Sequence, residues 1–202
     1  MQRESIVLEG GFTDPVIESQ AVFRALMDAM AHPARAYRIG HHAAPSVPIA
    51  ATAAAVACAV VDADTPVWLD GALAIDAVRT WLGFHTGARF ANSPGEAAFA
   101  LIADGAGMPA LQRFAQGTEE YPDRSSTVIL QLSALDGGDA LAFEGPGIRT
   151  RATIAPVGLP AEFPTQWRAN RARFPRGVDL ILTAGDAIAC LPRSARLLAG
   201  EN

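Results

Sequence analysis

Lysine is missing from this sequence, in which all sixteen basic residues are arginine. Without an ε-amino group, the chain cannot form a Schiff base with pyridoxal phosphate or with a carbonyl substrate. The lysine of a Walker-type phosphate-binding loop is absent for the same reason. Because a GC-rich genome also produces an alanine- and arginine-rich composition, this absence excludes these reactions without indicating a function.

Charged residues are scarce, at 18% of the 202 residues, whereas about a quarter is usual. This deficit predicts that part of the surface is covered by another subunit. The net charge of −5 argues against a protein that binds nucleic acid. Cysteine is nearly absent, and because Cys58 and Cys190 both lie in apolar runs, we expect buried, reduced thiols.

No apolar run is long enough to cross a bilayer. The longest spans residues 48–61 and is rich in alanine, which predicts a buried helix. The first ten residues lack the apolar core of a signal peptide. We therefore expect a cytoplasmic protein without a membrane partner. Its length suits a single domain over residues 1–202.

Helix signals recur along the chain. Asp14 followed by Pro15 is a typical helix start. Four apolar side chains then follow at helical spacing, which predicts either a core face or a face toward a partner. These four are Phe23, Leu26, Met27 and Met30. Further helices are predicted over residues 73–82, over 108–116 and within 160–174.

Strands are predicted where short apolar runs lie between turn residues. Residues 178–182 and 187–191 form a predicted hairpin around a turn at Gly185. Residues 127–132 form a second predicted hairpin with residues 141–143, because a polar, glycine-containing turn joins them.

Arginines stand at both ends of the first predicted hairpin, Arg176 before it and Arg193 after it. In an antiparallel hairpin, both come out at the same edge of the sheet. They are then either solvated charges at the strand ends or a fork that binds a phosphate or carboxylate.

Other positions each have a structural and a functional interpretation. His85 follows a helix and could be a base or a structural hydrogen-bonding group. Gly145 and Gly147, on either side of a proline, could receive a phosphate on exposed N–H groups or turn the chain. Arg168 and Arg171 lie on one face of a predicted helix, which could bind a partner or be solvated.

No set of residues predicts catalysis, a metal site or a cofactor. No serine or cysteine has nucleophile-elbow spacing, and no nucleophile, base and orienting group come together. His41 and His42 lack a third metal ligand. Asp62, Asp64 and Asp70 lack the spacing of a calcium loop. Both groups are therefore interpreted as solvated loop.

Eight segments, taken in order, resemble a known family. They are FR (23–24), MDAM (27–30), DTPVWL (64–69), FHT (84–86), TVILQ (127–131), GPGI (145–148), FPRGVDLILT (174–183) and LPR (191–193). The ordered set resembles the H subunit family of the bacterial carbon–phosphorus lyase system (PhnH). This resemblance covers nearly the whole chain.

The resemblance implies an α/β fold, a three-layer α-β-α sandwich with a mixed sheet, similar to the large domain of pyridoxal-phosphate-dependent transferases without the cofactor. It implies a homodimer that joins the G, I and J subunits of the carbon–phosphorus lyase core complex. Together with G, I and L, the family's subunit supports formation of alpha-D-ribose 1-methylphosphonate 5-triphosphate from ATP and methylphosphonate. The chain is then a non-catalytic subunit of a transferase complex.

The residues themselves leave two alternatives open. One is a stand-alone protein or enzyme that holds a phosphorylated ligand with His85, Arg176, Arg193 and the turn at residues 145–147. The other is a homodimeric module that binds only partner proteins through its exposed surface.

Overall fold

The structure is a computed structural model that describes residues 8–40, 42–45 and 47–199. Its helices and strands, in chain order, are α1 (Pro15–Ala31), β1 (Ala36–Arg38), α2 (Ala51–Val60), β2 (Val67–Leu69), α3 (Asp76–Thr86), β3 (Phe99–Ile102), β4 (Thr127–Gln131), β5 (Leu141–Glu144), β6 (Ala152–Ile154), α4 (Phe163–Arg171), β7 (Asp179–Ala184), β8 (Ala187–Leu191) and β9 (Arg196–Leu197). Short 3₁₀ turns lie at Pro94–Glu96, Leu111–Arg113 and Pro122–Arg124. None of the described helices is both long and apolar enough to cross a membrane.

Helix α1 begins as the sequence predicts. Pro15 is its first residue, and the Asp14 carboxylate accepts a hydrogen bond from the backbone N–H of Ile17 at 3.1 Å. The Glu18 carboxylate accepts bonds from the backbone N–H groups of Thr13 and Asp14. These contacts satisfy N–H groups that have no partner within the helix, so the start of α1 is fixed.

The described strands of the main sheet follow the order β1-β8-β7-β4-β3-β2. β2, β3, β4 and β7 are parallel neighbours, whereas β8 is antiparallel to both β7 and β1. The predicted hairpin of β7 and β8 is confirmed, with Leu180 opposite Leu191 and Ala184 opposite Ala187. Gly185 occupies the turn with φ +53°, the left-handed region that favours glycine.

Both faces of this sheet are covered. Helices α1, α2 and α3 pack on one face, where Trp81 and Ile129 belong to the core. Helix α4 and a smaller sheet of order β6-β5-β9 pack on the other, where Leu130, Phe143 and Trp167 are buried. Successive strand residues therefore enter opposite cores. The predicted α/β class with a mixed sheet is confirmed.

The predicted hairpin between residues 127–132 and 141–143 is wrong. β4 lies between β3 and β7, and β5 instead pairs with β6 and β9 in the smaller sheet. Both edges of β4 are occupied by strands distant in sequence, so these parallel pairings prevail over the local turn signal.

The helix predicted over residues 108–116 is also wrong, because only the 3₁₀ turn Leu111–Arg113 forms there. Side chains form hydrogen bonds with backbone N–H and C=O groups that a helix would use for its own hydrogen bonds. The Gln166 side-chain oxygen accepts from Leu111 N, and the Gln116 amide donates to the carbonyls of Leu111 and Phe114. Side-chain bonds of this kind offer the backbone an alternative to helix formation.

The apolar face predicted for α1 is only partly buried. Leu26 is buried, but Phe23 is 49% exposed and Met27 is 54% exposed. The face toward the core is formed with Leu26 by Val22 and Ala29, which are buried. The core therefore takes a neighbouring stripe of the helix, and Phe23 and Met27 are left at the surface.

Both cysteines are free thiols, as predicted, with Cys190 buried on β8 and Cys58 half-buried on α2. Burial raises the pKa of the Cys58 thiol to about 12. It also raises the pKa of Cys190, with a further contribution from the charge of Asp179. Since the thiolate is the reactive form, both thiols are held in their unreactive state at neutral pH.

Candidate functional site

The loops after β2 and β3 separate at the carboxyl edge of the sheet. The first contributes Leu73 to the core beneath α1–α3, and the second contributes Met108 and Leu111 to the core beneath α4. Such a point, where consecutive strands send their loops to opposite faces, is where open α/β sheets bind ligands.

Asp70 occupies this point. It is 4% exposed, so its interpretation as solvated loop is wrong. One carboxylate oxygen accepts from Leu73 N at 3.0 Å, and the other accepts from Ala103 N at 2.7 Å. The carboxylate thus joins the two loops and its oxygens are engaged by backbone N–H groups. In the sequence, the position of Asp70 directly after the apolar run of β2 was the feature that could have indicated this buried role.

Arg193 lies at the open end of the β7–β8 hairpin and faces inward. Its guanidinium contacts the Asp179 carboxylate at 2.9 Å and donates to Gly177 O at 3.0 Å. Further bonds run to Pro122 O and to the Ser125 hydroxyl. Burial raises the pKa of Asp179 above its ordinary value, and Arg193 offsets part of that shift.

Arg176 precedes Gly177 and is exposed. Its backbone therefore lies beside Arg193, as expected for an antiparallel hairpin, but the Arg193 guanidinium is already bonded to the protein itself. The geometry gives no fork in which both guanidiniums are open to a ligand.

Gly145 and Gly147 lie where the loop after β5 approaches other backbone segments. Both have positive φ, at +136° and +80°. A side chain on Gly147 would overlap the carbonyl oxygen of Ala31 at the end of α1. Ile148 N donates to Gly145 O at 3.1 Å and closes a turn. Gly147 lets the loop pack against α1, whereas Gly145 lies against the backbone of Ser194.

His85 bonds to the segment before α1. Its Nε2 lies 2.9 Å from Leu8 O, and its ring centre lies 4.5 Å from the Trp81 ring. The Trp81 indole N–H donates to Glu9 O at 2.8 Å. Both side chains therefore hold the segment at residues 8–9 against α3.

The His41–His42 pair falls partly outside the described residues, which include His42 but not His41. His42 lies 3.6 Å from the Glu18 carboxylate and in edge contact with Phe12, so its interpretation as solvated loop is wrong. No group of three or more histidine, cysteine or acidic residues in the described ranges is placed to hold a metal ion.

Arg168 and Arg171 are the predicted site residues that the structure brings together. They line one cavity of about 450 Å³ on the α4 side of the protein. Arg196 of β9 lines the same cavity and was not predicted, because it lies on a strand far along the chain from α4. Its Nη2 contacts the Glu144 carboxylate on the neighbouring strand β5.

Comparison with known proteins adds three findings. Residues 10–198 match the family described as "Bacterial phosphonate metabolism protein (PhnH)". A Rhizobium meliloti (strain 1021) protein named "Alpha-D-ribose 1-methylphosphonate 5-triphosphate synthase subunit PhnH" is 47% identical over 197 residues, 98% of each chain. A Stutzerimonas stutzeri protein named "Putative C-P lyase subunit protein HtxG" is 32% identical over 180 residues, 88% of this chain and 85% of the relative.

Proposed function

Because the chain belongs to the PhnH family of bacterial phosphonate metabolism proteins, we propose that it is a subunit of the carbon–phosphorus lyase core complex in organic phosphonate catabolism. In this role it supports formation of alpha-D-ribose 1-methylphosphonate 5-triphosphate from ATP and methylphosphonate. The observation that carries the proposal is the 47% identity, which extends over 98% of both chains.

Finer features of this role are part of the same proposal. The chain is a non-catalytic, cytoplasmic subunit of a transferase complex that forms a homodimer and contacts the G, I and J subunits. The names of both relatives, which describe subunits, support the general role. The fold is a three-layer sandwich akin to the large domain of pyridoxal-phosphate-dependent transferases, and superposition on such a domain tests this likeness.

The outer face of α1 supports assembly with another protein. Val16, Phe23 and Met27 recur at spacings of seven and four residues, so they lie on the same side of the helix. Their exposed fractions are 67%, 49% and 54%. We call these three residues the α1 stripe. Apolar surface grouped in this way is typical of a protein contact, and we assign it to another subunit of the complex.

Joint expression with the G, I and J subunits of the same host tests the role. The chain should co-elute with them, and the complete system, with the L subunit, should convert ATP and methylphosphonate. The isolated chain should show no turnover. Turnover by the isolated chain, or its failure to join the other subunits, would contradict the proposal.

The geometry does not favour a stand-alone protein that holds a phosphorylated ligand. Arg193 and His85 both bond to the protein's own backbone, and Gly147 packs against α1. Arg176 is therefore the one exposed cation of that predicted set. Calorimetry with ATP and with methylphosphonate should give no heat from a site built on these residues.

A further inference from the structure

Two adjoining cavities lie between α4 and the smaller sheet. The first, of about 450 Å³, is lined by Arg168, Arg171, Ala172, Arg196 and Leu197. The second, of about 330 Å³, shares Arg168 and Leu197 with it and adds Arg151. Because Arg168 and Leu197 line both cavities, the two are adjacent. We call the two together the arginine groove.

The arginine groove concentrates positive charge in a chain of net charge −5. No aspartate or glutamate is among the described residues that line either cavity. Glu144 contacts Arg196 from the neighbouring strand. A depression lined by one sign of charge focuses the electric field and attracts ligands of the opposite sign.

Arg171 has a donor that lacks an acceptor. Its Nε is buried and has no hydrogen-bond partner within the described part of the chain. Its guanidinium carbon lies 4.7 Å from the centre of the Phe174 ring, which stacks the group in place. Since buried donors are normally paired, the described part of the chain leaves the Arg171 guanidinium incompletely satisfied.

Arg168 is also only weakly engaged. Its Nη2 lies 3.5 Å from Leu198 O, at the outer limit of a hydrogen bond. It lies one helical turn before Arg171, so both side chains extend from one face of α4. Carboxylates match the planar donor fork of a guanidinium.

Seven of the nine described residues that line the second cavity have apolar side chains. In addition to the two arginines it is lined by Ala140, Leu141, Ala142, Pro164, Leu197, Leu198 and Ala199. A small polyanion would contact the arginines but leave these apolar side chains uncovered. A peptide segment with both acidic and apolar side chains covers both parts.

We propose that the arginine groove docks an acidic, amphipathic segment of a partner subunit. Its carboxylates contact Arg168, Arg171 and Arg196, and its apolar side chains cover Leu141 and Leu198. This inference rests on the proposed role as a subunit, and it specifies the chemistry of one contact within that assembly.

Photocrosslinking within the complex of the full chain with its G, I and J subunits tests the chemistry directly. With Ala172→p-benzoylphenylalanine, we expect one partner peptide that carries at least two aspartates or glutamates within about seven residues, the two-turn length along which helix neighbours recur. The same substitution at exposed Gln112 is the control and should not capture that peptide. A captured peptide without acidic residues, or none, would overturn the proposal.

Charge reversal provides an independent test. Arg171→Glu and Arg196→Glu should each weaken the complex by about tenfold or more and reduce its sensitivity to salt. Arg113→Glu, at an exposed arginine outside the groove, should leave the affinity unchanged. Thermal melting checks that each variant is folded, and Arg171→Lys should retain more affinity than Arg171→Glu because it keeps the positive charge.

The outcomes separate this inference from the proposed function. If the unaltered chain joins the complex and groove variants bind as well as it does, only the docking inference fails. If the unaltered chain does not join the complex, both fail. If inorganic tripolyphosphate binds the groove and no acidic peptide is captured, the groove is a site for a free anion and the docking inference is overturned.

Discussion

Arg193 and Asp179 are joined by two contacts across the open end of the β7–β8 hairpin. The guanidinium Nη2 lies 2.9 Å from Asp179 Oδ2, and the backbone N–H of Arg193 donates to Oδ1 at 2.6 Å. The same guanidinium donates to Gly177 O. The pair therefore fastens the end of β8 to the start of β7 and to the loop before it.

Replacement of this arginine should destabilise the fold. Arg193→Met leaves the largely buried Asp179 carboxylate without its counter-ion and removes bonds to three acceptors. We expect a loss of about 3 kcal/mol in the free energy of unfolding, measured by urea denaturation. The control is Arg38→Met, which breaks the exposed pair with Asp186 and should cost less than about 1 kcal/mol. Equal losses in the two variants would contradict this account.

The same pair predicts a pH dependence. Burial raises the pKa of Asp179 above its ordinary 3.8, and Arg193 offsets part of the shift. The folded state then keeps a proton that the unfolded state has released. The stability that this proton contributes is fully present below pH 3.8 and is lost as the pH rises through the folded-state pKa.

Arg193→Met removes that offset, so the pKa of Asp179 should rise further. The destabilisation caused by Arg193→Met should therefore grow between about pH 4 and pH 7. Addition of Asp179→Asn removes the titrating group, and the double variant should lose this growth. Urea denaturation at several pH values measures both, and a destabilisation independent of pH would contradict the assignment.

Asp70 should be sensitive to a nearly isosteric change. Asp70→Asn keeps one acceptor oxygen, but it places an NH₂ group opposite a backbone N–H donor. We expect the free energy of unfolding to fall by about 2 kcal/mol, because a buried donor is left without a partner. Asp104→Asn is the matched control. Asp104 is exposed and bonds to Gly107 N, so its replacement should change stability by about 0.5 kcal/mol or less.

Two glycine-to-alanine substitutions should have opposite effects. At Gly147, φ is +80° and a Cβ would overlap Ala31 O. Gly147→Ala should therefore lower the free energy of unfolding by more than about 1 kcal/mol. At Gly83, within α3, a Cβ meets nothing within 4 Å. Gly83→Ala should stabilise the fold by about 0.5–1 kcal/mol. Melting curves of both variants measure this difference, and a stabilising Gly147→Ala would contradict the described packing.

Substitutions in the α1 stripe should affect assembly without affecting folding. Phe23→Ser combined with Met27→Ser removes exposed apolar surface, so the melting temperature should change little while co-elution with the partner subunits falls. The matched control is Ile75→Ser, at an apolar residue 41% exposed outside the stripe. If the double variant instead converts a homodimer to a monomer in light scattering and leaves co-elution intact, the α1 stripe is a self-contact.

Local chemistry allowed parts of the fold to be predicted. Three features depend on contacts close in sequence, so the local residue pattern predicted them. They are the Asp14–Pro15 start of α1, the buried helix α2 and the hairpin around Gly185. The partners of β4 could not be predicted in this way. Its neighbours are set by packing between distant segments, and the turn signal before β5 favoured the wrong pairing.

The sites were harder to predict for the same reason. Arg168 and Arg171 are one turn apart on a helix, and their shared face followed from spacing. Arg196 joins them only through the tertiary packing of β9 beside α4. Arg193 lies at the end of the β7–β8 hairpin, as the sequence predicted. No sequence pattern showed that its guanidinium would turn inward to Asp179.

The main sheet places α1 and α4 on opposite sides of the molecule. A neighbour that touches the outer face of α1 therefore does not obstruct one that occupies the arginine groove. Such a subunit would be bivalent, and two modest contacts in one assembly reinforce each other through effective concentration. Damage to either side would then weaken the whole assembly by more than the lost contact alone.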